Sequence, residues 1–198
     1  MRWFSLLLFG TRYRSRKRKV GNSSDHIGKE ILLVRHAKSS WDDPYLDDHD
    51  RPLNERGLRN APDMGKRLQG LGIRTDAWIS STALRAITTA EILAEQVGFP
   101  IDQIQRSKDL YHASANELQE FIAELDDEFG SAILFGHNPG MTSLVANLYG
   151  LPIDNLPTCG VVHLQFNENT WSAVSSAPPA RAYFDFPKNE SGEALRLI

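Results

Sequence analysis

Apolar and polar positions follow two alternating patterns from residue 31 on. Short continuous apolar runs occur at residues 31–36 (ILLVRH), 77–82 (AWISST) and 132–138 (AILFGHN), and such runs are typical of strands covered on both faces of a sheet. The stretches between them repeat apolar residues at spacings of three and four, which is typical of amphipathic helices. This alternation predicts an α/β domain built in layers.

Capping residues set the expected boundaries of the first two helices. Asn54 is expected to cap the first helix, in which Pro62 should produce a kink unless the helix begins later. Ser81 is expected to cap the second. The residues expected to face the core are Leu58, Ala61, Gly65 and Leu68 in the first helix and Ile87, Ala90, Ala94 and Val97 in the second.

The second half of the chain predicts two more helices and two strands. Ser114 and Glu117 fit a capping box for a third helix, and Asn138, followed by a proline, fits the start of a fourth. Residues 161–166 and 171–177 are expected to pair as strands around the turn NENT. The expected core-facing residues are Leu118, Phe121, Ile122, Leu125 and Phe129 in the third helix and Met141, Leu144, Val145 and Leu148 in the fourth, which Gly150 should close.

Charge is distributed unevenly along the 198 residues. Residues 1–24 carry seven of the 22 lysines and arginines and no acid, so the rest of the chain has all 25 acidic residues against 15 basic ones. A domain this acidic is a poor partner for a nucleic-acid backbone, and no nucleic-acid partner is expected. We expect residues 1–29 to be a disordered or targeting extension and residues 30–198 to form one domain.

The N-terminal extension and the cysteine content bear on location. The apolar stretch at residues 3–9 is far shorter than the ~20 residues that cross a bilayer, so no stable membrane insertion is expected. The single Cys159 cannot form an internal disulfide, which favours a reducing compartment. These features predict a cytoplasmic protein, or an organellar one if the basic segment is a presequence.

Polar side chains stand at the ends of the predicted strands. Arg35 and His36 end the first, Arg85 follows the second after two serines, and His137 ends the strand at 132–138. Because the carboxyl ends of strands define the ligand crevice of an open α/β sheet, these groups should converge. Guanidinium groups suit a phosphoryl group, and a neutral imidazole nitrogen is a nucleophile near neutral pH.

Four motifs carry a family resemblance. The segments RHAKSSWDD, DRPLNERG, SSTALRAITTA and GHNPG, in this order, resemble the histidine phosphatase superfamily, whose fold is called phosphoglycerate mutase-like. Ala37 in place of a glycine after Arg-His, together with the RPL segment, resembles the SixA-type phosphohistidine phosphatase branch. The resemblance covers about residues 30–165 and implies a three-layer α/β/α sandwich with a mostly parallel sheet.

The resemblance also implies roles for individual residues. His36 would be the nucleophile that becomes phosphorylated, and Arg35 and Arg85 would clamp the phosphoryl group. His137 would be a protonated second histidine that stabilises the group in transfer. No metal or organic cofactor is implied.

Other residues are expected near the substrate. Ser39, Ser81 and Asp42 are expected to contact it. The acid that protonates the leaving group stays open among Asp109, Asp42 and Asp43. A phosphohistidine substrate reduces the need for such an acid, because the leaving imidazole is a far weaker base than an alkoxide.

Other polar residues of the sequence are given roles outside this site. Arg51 and Pro52 are interpreted as the turn into the first helix, and His112 as structural or exposed. The acidic loop lacks the glycine and glutamate of a calcium loop, so no metal is expected. Cys159 has Gln165 six positions later, where a cysteine phosphatase has an arginine.

The sequence therefore predicts a phosphohydrolase that works through a covalent phosphohistidine and acts on phosphohistidine in proteins. Two alternatives stay open. One is a phosphatase of small phosphate esters in the same superfamily, and the other is a weakly catalytic phosphate-binding module with a regulatory role. The expected partner is a phosphorylated protein or a small phosphorylated substrate.

Overall fold

The computed structural model describes residues 28–198, so most of the expected N-terminal extension lies outside it. Lys29, just before the expected domain boundary, already belongs to the fold, because its backbone N–H donates to Glu168 O at 2.9 Å and its side chain is buried. The strands are β1 (Glu30–Arg35), β2 (Ala77–Ser81), β3 (Gln105–Ser107), β4 (Ser131–Gly136), β5 (Val161–Gln165), β6 (Arg181–Asp185) and β7 (Leu195–Arg196).

These strands form one seven-stranded sheet in the order β3-β2-β4-β1-β5-β6-β7. The pairs β3–β2, β2–β4 and β4–β1 are parallel, whereas β5 joins β1 antiparallel and β6 and β7 continue antiparallel beyond it. The parallel half explains the continuous apolar runs, since each of its central strands is covered on both faces.

Helices cover both faces of the sheet. They are α1 (Glu55–Gly70), α2 (Leu84–Val97), α3 (Ala115–Ala123), α4 (Gly140–Ser143), which continues as a π turn over Leu144–Leu148, and α5 (Trp171–Val174). Short 3₁₀ turns lie at Asp48–Asp50, Ile101–Gln103 and Lys108–Leu110.

Alternate residues of the strands point to two separate cores. Leu32 and Val34 of β1 pack in one cluster with residues of α1 and α2, and Ile31 and Leu33 pack in the other with residues of α3 and the segment after it. This is the result that strand geometry dictates, because successive side chains leave a sheet on opposite faces. The expected three-layer α/β/α sandwich is confirmed.

The first helix begins where predicted but presents a different face. Asn54 Oδ1 accepts the Gly57 N–H at 3.0 Å, and α1 runs through Pro62, so it does not begin later. Leu58 was expected in the core and is 51% exposed. Gly57 faces inward instead, and an added Cβ there would lie 2.3 Å from Lys38 O, which is why this face packs so closely against the loop after β1.

Two predicted caps are wrong. Ser81 is the last residue of β2, and α2 starts after Ala83 without a side-chain cap. Asn138 does not cap α4, because its amide donates to Leu156 O at 3.0 Å and the helix begins at Gly140. Both side chains have tertiary partners that local sequence rules do not include.

The capping box of Ser114 and Glu117 is confirmed. However, α3 ends at Ala123, so Leu125 and Phe129 are buried beyond the helix and not within its stripe. In the same way, Leu148 of the fourth helix is 41% exposed, since the π turn rotates it away from the core.

The predicted strand at residues 161–166 is confirmed as β5, but its partner is wrong. Residues 171–177 begin with the short helix α5, capped by Thr170 Oγ1, which accepts the Ala173 N–H at 3.3 Å. The indole of Trp171 donates to Phe129 O at 3.0 Å, which fixes α5 against the core. On the side away from β1, β5 pairs with β6, which begins ten residues after Trp171.

Candidate active site

The register of the central strands brings the two candidate histidines together. Arg35 of β1 pairs with Gly136 of β4, so His36 and His137, which follow these two residues, leave the sheet side by side. Their ring centroids are 5.0 Å apart, and both side chains are buried. The convergence expected from the strand ends is therefore present.

Hydrogen bonding gives the two ring nitrogens of His36 different roles, because Nε2 accepts from Arg85 Nε and therefore carries a lone pair. Nδ1 lies 2.7 Å from the carbonyl oxygen of Ala37, and because a carbonyl only accepts, Nδ1 carries the ring proton. The Ala37 N–H in turn donates to Thr89 Oγ1 at 2.9 Å, which ties this turn to α2. Nε2 is thus the nitrogen that can act as a nucleophile.

The surroundings of His36 keep its imidazole neutral. Burial lowers its pKa, the hydrogen bond to Ala37 partly opposes this, and the charges of Arg85, Arg35 and Arg51 lower it further, to about 3. A buried imidazole among guanidinium groups resists a second positive charge. His36 is therefore unprotonated at Nε2 at physiological pH.

His137 also has one engaged and one free nitrogen. Its Nε2 lies 2.8 Å from Ser81 Oγ, which accepts the Ala83 N–H at 3.3 Å. A hydroxyl can donate to an imidazole nitrogen or accept from it, and when Ser81 Oγ–H donates to Nε2 the ring proton is on Nδ1. Nδ1 is buried with no hydrogen-bond partner within residues 28–198, so it is a donor without an acceptor.

The expected positive charge on His137 is absent in the free protein. Burial lowers its pKa, and the neighbouring His36 and Arg85 lower it further, to about 2. A doubly negative phosphoryl group beside the ring would act in the opposite direction, because an anion favours the protonated form. The second ring proton, which makes His137 positively charged, is therefore expected when a phosphoryl group is bound and not in the free protein.

The two predicted arginines are both at the site. Arg85, at the start of α2, is 3% exposed and directs its Nε to His36 Nε2 at 3.3 Å. Arg35 donates from Nη1 to Leu156 O at 2.8 Å, and its Nε is buried without a partner in the described part of the chain. Arg85 is thus held at all three of its nitrogen atoms, whereas Arg35 is anchored at one and has donors left over.

Sequence reasoning missed a third arginine. Arg51 is 6% exposed, its charge contributes to the lowered pKa of His36, and its guanidinium carbon lies 3.2 Å from the ring centroid of Trp41. Its Nη2 donates to Ser39 Oγ at 2.6 Å and its Nε to Ser40 O at 2.9 Å. Its place within the DRPLNERG motif was the available signal.

The carboxylate at the site is one that was not predicted. Asp48 accepts hydrogen bonds at 2.7 Å from Arg51, 2.8 Å from Arg85 and 2.9 Å from Tyr111. His112 Nε2 lies 2.9 Å from the same carboxylate, and its ring stacks on His137 with centroids 5.2 Å apart. His112 is therefore at the edge of the site as well as half exposed.

The other predicted residues have different positions. Ser39 and Ser81 are buried and bond to Arg51 and His137, so they support site residues. Asp42 is exposed and accepts from Ser40 Oγ at 2.7 Å within its own loop, and its contact with substrate stays a prediction.

The other two candidates for the acid that protonates the leaving group also accept hydrogen bonds from residues close to them in the chain. Asp109 is exposed and accepts from Ser107 Oγ at 2.9 Å, and Asp43 accepts the Tyr45 N–H at 2.9 Å.

Two features of residues 28–198 bear on cofactors and membranes. No group of three or more His, Cys, Asp or Glu side chains there is arranged to hold a metal ion. In the same part of the chain, no helix has both the length and the apolar character needed to cross a bilayer.

Known proteins resemble the chain in sequence and in structure. Residues 31–115 match the model of the histidine phosphatase superfamily (branch 1). An uncharacterised chloroplastic protein of Arabidopsis thaliana is 34% identical over 160 residues, which are 77% of this chain and 73% of that protein.

Among solved structures, one described as a phosphohistidine phosphatase SixA from Agrobacterium tumefaciens is 28% identical, with a TM-score of 0.63 over 70% of this chain and 92% of that one. A phosphoglycerate mutase from Bacillus anthracis shares the fold at 15% identity, with a TM-score of 0.52 over 75% of this chain and 97% of that one.

Proposed function

The chain belongs to the SixA-like branch of the histidine phosphatase superfamily, and we propose that it hydrolyses phosphohistidine in proteins through a phosphoryl group carried on His36. One observation carries this proposal. His36 Nε2 carries an unprotonated lone pair that accepts a hydrogen bond from Arg85 Nε at 3.3 Å, and the unpartnered Nδ1 of His137 belongs to the ring next to it.

The reaction runs in two steps. In the first, His36 Nε2 forms a bond to phosphorus while the bond from phosphorus to the leaving nitrogen breaks, and the leaving imidazole, already protonated on its other ring nitrogen, departs neutral. In the second, water attacks phosphorus, the bond to Nε2 breaks, and inorganic phosphate leaves with His36 neutral again. Phosphoryl transfer of this kind depends mainly on positioning and on stabilising the negative charge of the oxygens.

Each charged group has a part in both steps. Arg35, Arg51 and Arg85 supply fixed positive charge. His137 donates from Nδ1 and becomes more basic as the phosphoryl group binds. The site thus gains its strongest stabilising charge when the substrate is present.

We propose a substrate with a phosphorus–nitrogen bond because of the carboxyl groups that could protonate the leaving group. Burial raises the pKa of Asp48, but hydrogen bonds from His112, Tyr111 and Arg85 outweigh it and lower that pKa far below the usual range. An acid so strongly ionised is a poor proton donor, and Asp109 is engaged elsewhere. A site without an efficient acid favours an imidazole leaving group over an alkoxide.

The nucleophile is tested by trapping the phosphoenzyme. The protein is mixed with a phosphohistidine peptide labelled in its phosphoryl group, quenched in alkali and digested. Label is expected on the peptide that contains His36, and His36→Ala is expected to lose both the label and turnover. Near-normal turnover by this variant would contradict the assignment.

The substrate class is tested by a panel. Initial rates on a phosphohistidine peptide are compared with rates on sugar phosphates and phosphoglycerates, with and without a chelator. A preference for the peptide is expected in both conditions. Preference for one ester would support a small-molecule phosphatase, and tight phosphate binding without turnover would support a regulatory module.

The location stays a prediction. We expect the cytoplasm, or an organelle if residues 1–29 are a presequence, and the name of the Arabidopsis relative supports the second case for this type of protein. Microscopy of fluorescent fusions with and without residues 1–29 tests this.

A further inference from the structure

Asp48 is the acceptor on which the polar groups at the edge of the site converge. Its Oδ1 accepts from Arg51 Nη1, and its Oδ2 lies within 2.9 Å of Arg85 Nη2, Tyr111 Oη and His112 Nε2. The main-chain oxygen of the same residue accepts from Arg85 Nη1. One residue of a short 3₁₀ turn therefore binds both Arg51 and Arg85, the two buried arginines of the site.

For the role of Asp48, the guanidinium atoms of Arg85 that it binds matter more than the number of its hydrogen bonds. A guanidinium group is a planar fork in which Nη1 and Nη2 form the end edge, and Nε and Nη2 form the side edge. Asp48 occupies the end edge with its backbone oxygen and its carboxylate. The side edge remains directed at His36, where Nε lies 3.3 Å from Nε2.

We propose that Asp48 is a positioning residue, which fixes the end edge of Arg85 and one side of Arg51 so that the side edge of Arg85 faces the phosphorus atom on His36. This inference rests on the proposed function. It differs from two simpler roles that a carboxylate near a phosphatase nucleophile could have, namely proton donor to the leaving group and anion that competes with substrate.

The contacts argue against both simpler roles. A proton donor must spend time protonated, whereas four donors surround this carboxylate and favour its ionised form. A competing anion would take the Nε of Arg85 that faces the nucleophile, whereas Asp48 binds the end edge and leaves Nε to His36. Both observations fit a carboxylate that orients the clamp.

The test compares two single-charge variants of the same loop. Asp48→Asn keeps the size of the side chain and removes its charge. Asp47→Asn removes the same charge from the neighbouring residue, whose carboxylate has no ion pair within residues 28–198. Turnover is measured on two N-phosphorylated imidazoles whose leaving groups differ in basicity, and the hydrolysis of trapped phosphoenzyme is measured separately.

If Asp48 positions Arg85, its substitution should reduce kcat by the same factor on both substrates. Asp48→Asn should reduce kcat about 100-fold on both substrates and slow phosphoenzyme hydrolysis by a similar factor, since Arg85 faces phosphorus in both steps. Asp47→Asn should stay within about twofold of the unmodified protein. A much larger loss on the more basic leaving group would identify Asp48 as a proton donor, and a gain in kcat/KM would identify it as a competing anion. Either result overturns the proposal, as does unchanged turnover.

A second variant covers the case in which Asp48→Asn fails to fold. Asp48→Glu keeps the negative charge but moves it by one methylene, and it is expected to give a smaller loss that is again equal for both leaving groups. Failure of the proposed function is distinguishable, because the unmodified protein would then form no phosphoenzyme on His36 at all.

Discussion

Mild acid is expected to destabilise the folded protein because two imidazoles are buried in their neutral form. In the unfolded chain a histidine has a pKa of about 6.5. In the folded protein burial and neighbouring charges lower the pKa of His36 to about 3 and that of His137 to about 2. Between these values and 6.5, the unfolded chain binds protons that the folded protein excludes.

The direction and the size of the pH effect on stability follow from this difference in proton binding. The free energy of unfolding rises with pH wherever the unfolded state binds more protons, so stability falls as the pH is lowered from 7. At pH 5 each histidine is expected to contribute about 2 kcal/mol of destabilisation, and the two together about 4 kcal/mol at most. The carboxylate of Asp48 does not interfere, because a lowered carboxyl pKa costs stability only below the ordinary carboxyl range.

The assay is urea unfolding followed by tryptophan fluorescence at pH 7 and pH 5. The unmodified protein should lose free energy of unfolding between the two, and His36→Asn or His137→Asn should each remove about half of that loss. Saturating phosphate should reduce the loss too, since a bound dianion raises the pKa of His137. A free energy that is the same at pH 7 and pH 5, or variants with an unchanged pH dependence, would refute the reasoning.

Three further predictions concern single side chains. Ser81→Ala should lower kcat about tenfold, because the tautomer of the second histidine loses its partner, and ¹⁵N NMR of that ring should show both tautomers. Arg51→Ala should weaken tungstate binding about 100-fold and raise the pKa of His36 measured by the same NMR method, while an unchanged titration would contradict this. Gly57→Ala should lower the free energy of unfolding by about 2 kcal/mol in denaturant titrations, since the added Cβ would lie 2.3 Å from a carbonyl oxygen of the loop after β1.

The part of the site that sequence could predict is the part fixed by strand ends. Arg35, His36 and His137 follow central strands whose apolar runs are unmistakable, and parallel pairing then brings them to one edge of the sheet. Arg85 was found because it opens a helix directly after such a strand. These positions depend on topology alone, which a pattern of apolar residues conveys.

The missed residues lie where topology gives no guidance. Arg51 and Asp48 belong to a polar loop, and their positions come from tertiary pairing, in which Arg51 bonds to Asp48 and Ser39 and Asp48 bonds to Arg85 of α2. Likewise, residues 171–177 have a strand-like composition, but a threonine cap and an indole hydrogen bond to the core make their first part helical. Tertiary partners decide such segments, and no local rule contains them.

The site carries an excess of positive charge that a bound anion would balance. Two buried guanidinium groups and the half-buried one of Arg35 would repel one another, and the free protein limits this repulsion by keeping both imidazoles neutral and by placing one carboxylate between Arg51 and Arg85. Positive charge still exceeds negative charge around His36, and the Nε of Arg35 and the Nδ1 of His137 have no acceptor within residues 28–198. Buried donors without acceptors cost free energy, so a group that supplies several oxygens and two negative charges stabilises the site most. The same imbalance that destabilises the empty site therefore selects a phosphoryl group and stabilises it during transfer.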